Sequence, residues 1–463
     1  MSLLNNIYNI SPVFLQNAFV SLYGFYWKNR RYGKAFEKHL EEAKNRESFS
    51  KKEWEVYQTI QLRNLLIHSF KNVPFYNKKY SKAGFSAKDF ESFEIKDLKK
   101  LPCLTKDELR TYGSSTLLAV NKAKGKFYSS SGSTGTPIKV YFSKDFHRKW
   151  SALYEARVRN WAGVDYKMSR AMIGGRRVLS NSKLKPPFYR YNLAEKQAYF
   201  SAYHISSESS EQYVKELDKT KIKYLVGYAT SIYLLSKNIQ ELGIKAPKLL
   251  AVLTSSEKLT EQMRFVIENV FQCKVFDAYS GVEACGLISE NEFGELLFSP
   301  DSGILEILDD NGEEVLNGEL GEVVSTGLLN YDQPLIRYRI GDCITLSKNQ
   351  NSNGILNMPI IKQIEGRVED VIVGENGRKM VRFHGIFIDI IGLIQSQLIQ
   401  EKVNLIRVKL VVEKEFDKSQ ETIIVKRIVS QLGEVEINFE YVNTIGKTNS
   451  GKYKAVISRL NNG

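Results

Sequence analysis

Apolar residues recur at helical spacing from Trp54 to Val73, with Leu62, Leu65, Leu66 and Phe70 on one face and Pro74 closing the run. In LPCLTKDELR, Thr105 followed by Glu108 makes a capping box, so a second helix starts there. The chain then alternates. Short β-rich runs at Lys139–Phe142, Leu249–Thr254 and Lys274–Ala278 are interleaved with helical patterns at Glu211–Lys219, Ser231–Leu242 and Glu261–Val270. Such alternation predicts an α/β domain of mixed, mostly parallel sheet flanked by helices. Beyond about residue 295 the pattern shortens. SGILEILDDNGEEV and GELGEVVSTGL read as strands broken by Asp, Asn and Gly turns, a β-rich subdomain. The last hundred or so residues read as a small α+β domain, with strands Asn404–Glu413 and Glu434–Val442 about a helix near Ser419–Leu432. The chain has no internal repeat and no low-complexity segment.

The N-terminal stretch Val13–Trp27 is apolar, but it is too short to span a bilayer and contains Gln16 and Asn17. It reads as a packing helix. The basic run Lys28, Asn29, Arg30, Arg31 behind it leaves a peripheral membrane-surface role open.

The 463 residues are 43% hydrophobic, which suits a globular protein with sizeable cores and argues against broad disorder. The formal net charge of +14 is spread along the chain. A basic surface of this kind attracts nucleotides, anionic substrates, nucleic acid or anionic lipid. No nucleic-acid-binding signature accompanies it, so no nucleic-acid partner is expected. Cys103, Cys273, Cys285 and Cys343 show no C-x-x-C spacing, which fits a reducing cytoplasm, up to the inner face of the membrane. No secretory signal is expected.

The strongest chemical signal is SSSGSTGTP, Ser129–Pro137. Small residues and two glycines let successive N–H groups converge, and Ser131, Ser133 and Thr134 add hydroxyl donors, an anion nest suited to a polyphosphate. IKVYF follows with strand alternation, so the loop should join two strands, unlike a P-loop, which opens a helix. GKTNSGKY, Gly446–Tyr453, nearly spells a P-loop but ends on Tyr453, which cannot serve as a compact Mg²⁺-binding hydroxyl. Glu283, Asp342, Arg367 and Lys452 stand in DAYSGVEACG, LIRYRIGD, IEGRVEDVI and TNSGKYK. Taken singly, each reads as a solvated charge or a turn residue.

Their order changes that reading. A Ser/Thr/Gly loop, Tyr-x-x-x-Glu, Arg-Tyr-Arg-x-Gly-Asp, Gly-Arg-x-x-Asp and Ser-Gly-Lys follow one another, and the series resembles the adenylate-forming superfamily of acyl-CoA synthetases, adenylation domains and luciferases. The resemblance runs from about Trp54 to the C-terminus. NVPFYNKKY, LPCLTKDELR and FSAYHIS bring it nearest the phenylacetate-CoA ligase branch and its CapK-type capsular-polysaccharide proteins.

The resemblance implies a large N-terminal adenylation domain, 1–368, and a small lid domain, 369–463, joined by a hinge at Glu369, where Asp or Lys is usual. It implies ATP and Mg²⁺, with the β- and γ-phosphates held by Ser129, Ser130, Ser131, Gly132, Ser133, Thr134 and Gly135. Ser255, Ser256 and Glu257 form the turn beside the adenine, Tyr279 stacks on it, and Ser280 replaces a Gly and Val282 a Thr of the family pattern. Asp342 binds the ribose, Arg367 lies near ribose and phosphate, and Glu283 holds Mg²⁺. Lys452 reaches the substrate carboxylate and α-phosphate. Tyr228, Thr230 and Gly281 line the acyl pocket, with His204 loosely matched beside it. Some relatives of the branch hold zinc after the Glu, but Asn291 and Phe298 occupy that stretch, so no zinc site is expected.

The implied reaction joins a small carboxylic acid, through its adenylate, to an acceptor: a sugar amine or hydroxyl, or CoA in an aryl- or acyl-CoA ligase. A nucleotidyl transferase and a non-catalytic nucleotide-binding protein of a glycan assembly system are the other readings.

Overall fold

The computed structural model describes residues 3–129, 137–174, 179, 186–309, 311–354, 356–365, 372–374, 379–380, 386–387, 390–445 and 456–460. Their largest element is a 12-stranded sheet. At its centre Val275–Tyr279, Ala251–Ser255, Tyr224–Tyr228, Arg170–Gly174 and Gln197–Ser201 lie side by side, all parallel. Helices Ser207–Lys219, Ala229–Glu241 and Glu261–Phe271 connect or follow them. Leu217, Ile232, Leu235, Ile267 and Phe271 from these helices bury against Ala171, Ile173, Leu225 and Val252 of the strands. Burial on both faces is why Ala251–Ser255 reads as a near-continuous apolar run.

The β-rich segment does not stand apart. Ile288–Glu290 pairs antiparallel with Val275–Tyr279, and Leu296–Phe298, Ile360–Glu365, Tyr338–Leu346, Leu320–Gly327 and Gly303–Leu308 extend the same sheet. On the opposite side the sheet ends in Tyr189–Asn192, antiparallel to Gln197–Ser201.

The elements expected from the sequence pattern are present with corrections at their ends, and the strands Arg170–Gly174, Gln197–Ser201 and Tyr224–Tyr228 add to them. The first long amphipathic helix starts at Lys51, three residues before Trp54, because Ser50 and Glu53 form a full capping box. It stops at Asn72, and Pro74 opens the next helix, Pro74–Lys82, at its first turn, where a missing N–H costs nothing. The Thr105–Glu108 box caps Lys106–Tyr112. Gly125–Ser129 and Lys139–Ser143 form an antiparallel hairpin, so the Ser/Gly segment does join two strands.

A separate four-stranded sheet comprises Glu436–Tyr441, Leu405–Val412, Leu393–Lys402 and Val456–Ser458. Helix Gln420–Leu432 covers it, burying Ile424, Ile428 and Leu432 against Leu398, Ile406, Val408 and Leu410. Among the described residues no helix is long and apolar enough to cross a membrane.

Candidate functional site

Chain order and spatial order diverge at the parallel strands. After Arg170–Gly174 the chain adds Gln197–Ser201 on one side, then crosses to place Tyr224–Tyr228 on the other. Such a switch leaves a crevice beyond the carboxyl ends of the strands, the usual ligand site of an open α/β sheet. Register brings those ends level: Gly174 faces Ser201, Tyr228 faces Ser255, and Ser255 faces Ala278. The expected site residues stand there. Tyr228, Ser255 and Tyr279 are the last residues of their strands, and Thr230, Ser256, Glu257, Ser280, Gly281 and Glu283 follow within four positions.

Local bonds fix this rim. The chain turns left-handed at Ser256 (φ 71°), a conformation that β-carbon sterics make costly. Beyond that turn the Glu257 carboxylate accepts the Thr230 N–H at 3.0 Å. Thr230 lies in the first turn of Ala229–Glu241, so an acid satisfies one of that helix's open donors and complements its dipole. The expected adenine-side and acyl-side residues are thereby tied together.

The Tyr279 hydroxyl donates to Asp342 Oδ2 at 2.7 Å, joining the expected adenine and ribose residues. Burial and the neighbouring Asp342 carboxylate push that phenol well above its ordinary pKa, so it stays a donor. Glu283 is buried, and a β-carbon on Gly281 would stand 2.2 Å from its Oε2. A side chain at Gly281 would force the carboxylate to move. The Tyr338 hydroxyl lies 3.5 Å from Glu283 Oε1. Burial and Glu283 raise the Tyr338 pKa, while the Arg110 guanidinium acts against the rise.

A cavity of about 20 Å³, lined by Tyr279, Gly281, Glu283, Cys285 and Ile340 among others, lies behind this rim. It has room for a water and none for a nucleotide. Burial raises the Cys285 pKa, so the thiol stays neutral. The donor chemistry suits Mg²⁺: one hard carboxylate with hydroxyls nearby, the rest of the coordination coming from substrate phosphates and water. Among the described residues no cluster of three or more His, Cys, Asp or Glu could hold a metal on its own.

His204 closes a single 3-10 turn just past Ser201. Its Nδ1 lies 2.7 Å from Ser201 Oγ, and its ring stacks on Phe188 with centroids 4.6 Å apart. Ser129 ends the first hairpin strand. Ser130–Gly135, Arg367, Glu369 and Lys452 lie outside the described residues, as does the 368/369 boundary.

The sequence reading passed over the scaffold behind the rim. Tyr76 of NVPFYNKKY donates to Pro334 O at 3.0 Å and accepts the Ile336 N–H at 3.0 Å, fixing the run into Tyr338. Lys79 joins Glu108 and Cys103 O, binding NVPFYNKKY to LPCLTKDELR. In Arg-Tyr-Arg the three side chains part company. Arg337 (φ 48°) makes a buried fork to Glu306 at 2.8–3.1 Å, Tyr338 points at Glu283, and Arg339 meets Glu322 at 3.1 Å. The repeat of Arg about Tyr was the available signal. Asp277 was also missed. It accepts from Thr254 Oγ1 at 2.8 Å, two residues before Tyr279, and burial pushes its carboxyl up to about 6.

Residues 372–459 match the CapK C-terminal domain, a span that includes Lys452. CapK of Staphylococcus aureus is 28% identical over 99% of this chain and 100% of its own length. Phenylacetate-coenzyme A ligase of Escherichia coli (strain K12) is 26% identical over 71% of this chain and 74% of its own. The fold matches 2-hydroxyisobutyryl-CoA ligase crystallised with 2-HIB-AMP and CoA in the thioesterification state, with a TM-score of 0.58 and 19% identity over 89% of this chain and 91% of that one. The chain is thus similar in sequence to CapK and to a phenylacetate-CoA ligase, and it shares the fold of an acyl-CoA ligase. The similarity to the ligase covers 71% of the chain, and that to CapK covers nearly all of it.

Proposed function

We propose that this chain uses ATP and Mg²⁺ to convert a small carboxylic acid to its acyl-adenylate and then transfers the acyl group to an acceptor. The observation that carries this reading is the meeting of Tyr279, Asp342 and Glu283 beyond the carboxyl ends of the parallel strands.

The chemistry needs no strong base, because a carboxylate is already ionised near neutral pH. A substrate carboxylate oxygen attacks the α-phosphorus of ATP, and the bond to the β-phosphate bridging oxygen breaks, releasing pyrophosphate. The acceptor's nucleophile then attacks the acyl carbon, AMP leaves, and the acceptor's proton passes to solvent. The obstacle to the first step is repulsion between anions. Bound Mg²⁺ would offset charge on the phosphates, with Glu283 holding it. Lys452 would bring an ammonium to the carboxylate and α-phosphate, and the Ser129–Gly135 segment would supply N–H donors to the outer phosphates. Tyr279 and Asp342 would seat the adenosine, their mutual bond fixing both. Glu369 would be the hinge that lets 369–463 turn away and admit the acceptor.

Two acceptors are supported by different observations. The resemblance to CapK-type capsular-polysaccharide proteins, with which the similarity to CapK over 99% of the chain is in line, favours a sugar amine or hydroxyl. Similarity to phenylacetate-CoA ligases favours the CoA thiol.

ATP–pyrophosphate exchange with a panel of aryl, hydroxy and amino acids tests the first step. Exchange should depend on one acid class and fall about 10²-fold or more in Lys452→Ala. Measurable ATP binding with no exchange for any acid would sink the proposal. CoA added to the responding acid then separates thioester formation from transfer to a sugar.

A further inference from the structure

Helix Val13–Arg31 is amphipathic the wrong way round. Its buried residues are Gln16, Gly24 and Arg30. Its polar stripe meets the lateral edge of the large sheet. Gln16 Oε1 accepts from Arg190 Nε at 2.5 Å, Asn17 Oδ1 from the Tyr191 N–H at 3.0 Å, and Ser21 Oγ from the Leu193 N–H at 3.0 Å. Gly24 admits Asn192, Lys28 donates to Ala194 O at 3.2 Å, and Arg31 pairs with Glu195. The apolar stripe faces out. Phe14 is 69% exposed, Leu22 70% and Phe25 60%, with Phe19, Tyr23 and Tyr26 exposed beside them. A helix docked only to cover a sheet edge would turn those residues inward.

The surroundings are basic. No acidic residue precedes Glu37. Lys126 Nζ sits 4.9 Å over the Tyr26 ring, and Lys122 and Lys124, both exposed, lead into it. Lys28 is exposed on the helix itself. We propose that this outward aromatic face, rimmed by Lys28, Lys122, Lys124 and Lys126, docks the protein on an anionic bilayer surface, the helix lying in the interface plane. Aromatic rings and lysines side by side are the composition an interfacial helix needs, apolar groups entering the acyl boundary while cations meet lipid phosphates. A second copy of the chain fits less well, since it would bring the same lysine rim against itself.

Sedimentation of the full chain with phosphatidylcholine vesicles, with and without phosphatidylglycerol, tests this. The protein should pellet with the anionic vesicles and release as salt rises. Combined Phe14→Ser, Leu22→Ser and Phe25→Ser should weaken that binding about a hundredfold, with thermal unfolding unchanged because all three side chains are exposed. Lys122→Glu with Lys124→Glu and Lys126→Glu should abolish the preference for anionic lipid. Absence of pelleting by the wild type, or equal pelleting of the triple Ser variant, would overturn the proposal. A dimer in light scattering that the Ser variant loses, without vesicle binding, would reassign the face to self-association and overturn it too.

Discussion

The large sheet is finished in two opposite ways. At the carboxyl ends of its parallel strands, polar side chains bond to one another across short turns: Glu257 to Thr230, Tyr279 to Asp342, Tyr338 toward Glu283. At its lateral edge, the polar side chains of a long helix are spent on the edge strand, and the apolar ones are left outside. The first arrangement holds the groups proposed to bind ATP and Mg²⁺ in a fixed geometry. The second uses hydrogen bonds as mortar. The same residue types therefore bear on activity at one border and on stability at the other, and substitution should separate the two.

The largest effect is expected at the lateral edge. Glu195 is buried and accepts from Arg170 at 3.1 Å and Asn192 at 3.1 Å while pairing with Arg31. Glu195→Ala would leave the buried Arg170 guanidinium without that partner, which costs about 3–5 kcal/mol. Chemical denaturation should register the loss, while pyrophosphate exchange per folded molecule stays within about twofold. Equal losses of stability and exchange would mean that the two borders are not separable.

The next effect belongs to the crevice. Glu283→Gln keeps the shape and removes the charge proposed to hold Mg²⁺. Exchange should fall about 10²–10³-fold, with little shift in the denaturation midpoint. A variant with full exchange would remove Glu283 from the proposed mechanism.

How far the sequence foretold this contrast depends on the kind of signal. Periodicity placed the central strands Ala251–Ser255 and Val275–Tyr279 and the three helices to within a few residues, while Arg170–Gly174, Gln197–Ser201 and Tyr224–Tyr228 went unread because polar residues and glycine cut their apolar runs short. Motif order singled out Tyr279, Glu283 and Asp342, of which Tyr279 bonds Asp342 and lines one cavity with Glu283. The apolar stretch Val13–Trp27 read as a packing helix, but it packs by Gln16, Gly24 and Arg30, and composition does not say which side a helix packs by. Only the partners decide, here Arg190, Asn192 and Glu195, which lie more than 150 residues away in sequence. The join between the parallel strands and the β-rich segment was illegible for a similar reason. It depends on Ile288–Glu290 turning back on Val275–Tyr279, a pairing with no composition of its own. Tyr338 was hidden inside its motif, since Arg337 turns left-handed just before the strand that Tyr338 opens, and the three side chains take different partners.

The smallest effect concerns the seam where the N-terminal helix meets the hairpin that carries Ser129. His147 Nδ1 accepts from Arg30 Nε at 3.2 Å, and its ring packs on Trp27, Tyr128 and Phe142. Burial, with Arg31 and Arg30 alongside, pushes its pKa from the ordinary 6.5 down to about 3. The unfolded chain therefore takes up a proton near pH 6.5 that the folded protein refuses until near pH 3. This contribution to stability is whole above about pH 6.5 and is lost progressively as the pH falls toward 3. Between pH 7 and pH 5 the loss is about 2 kcal/mol. His147→Gln keeps a group able to accept from Arg30 but does not titrate. Denaturation midpoints measured across that range should fall for the wild type and fall less for the variant, while Glu283→Gln should follow the wild-type slope. Parallel slopes in wild type and His147→Gln would place the acid-sensitive group elsewhere. A flattened slope would locate acid sensitivity in the seam of the inverted helix and leave the crevice clear of it.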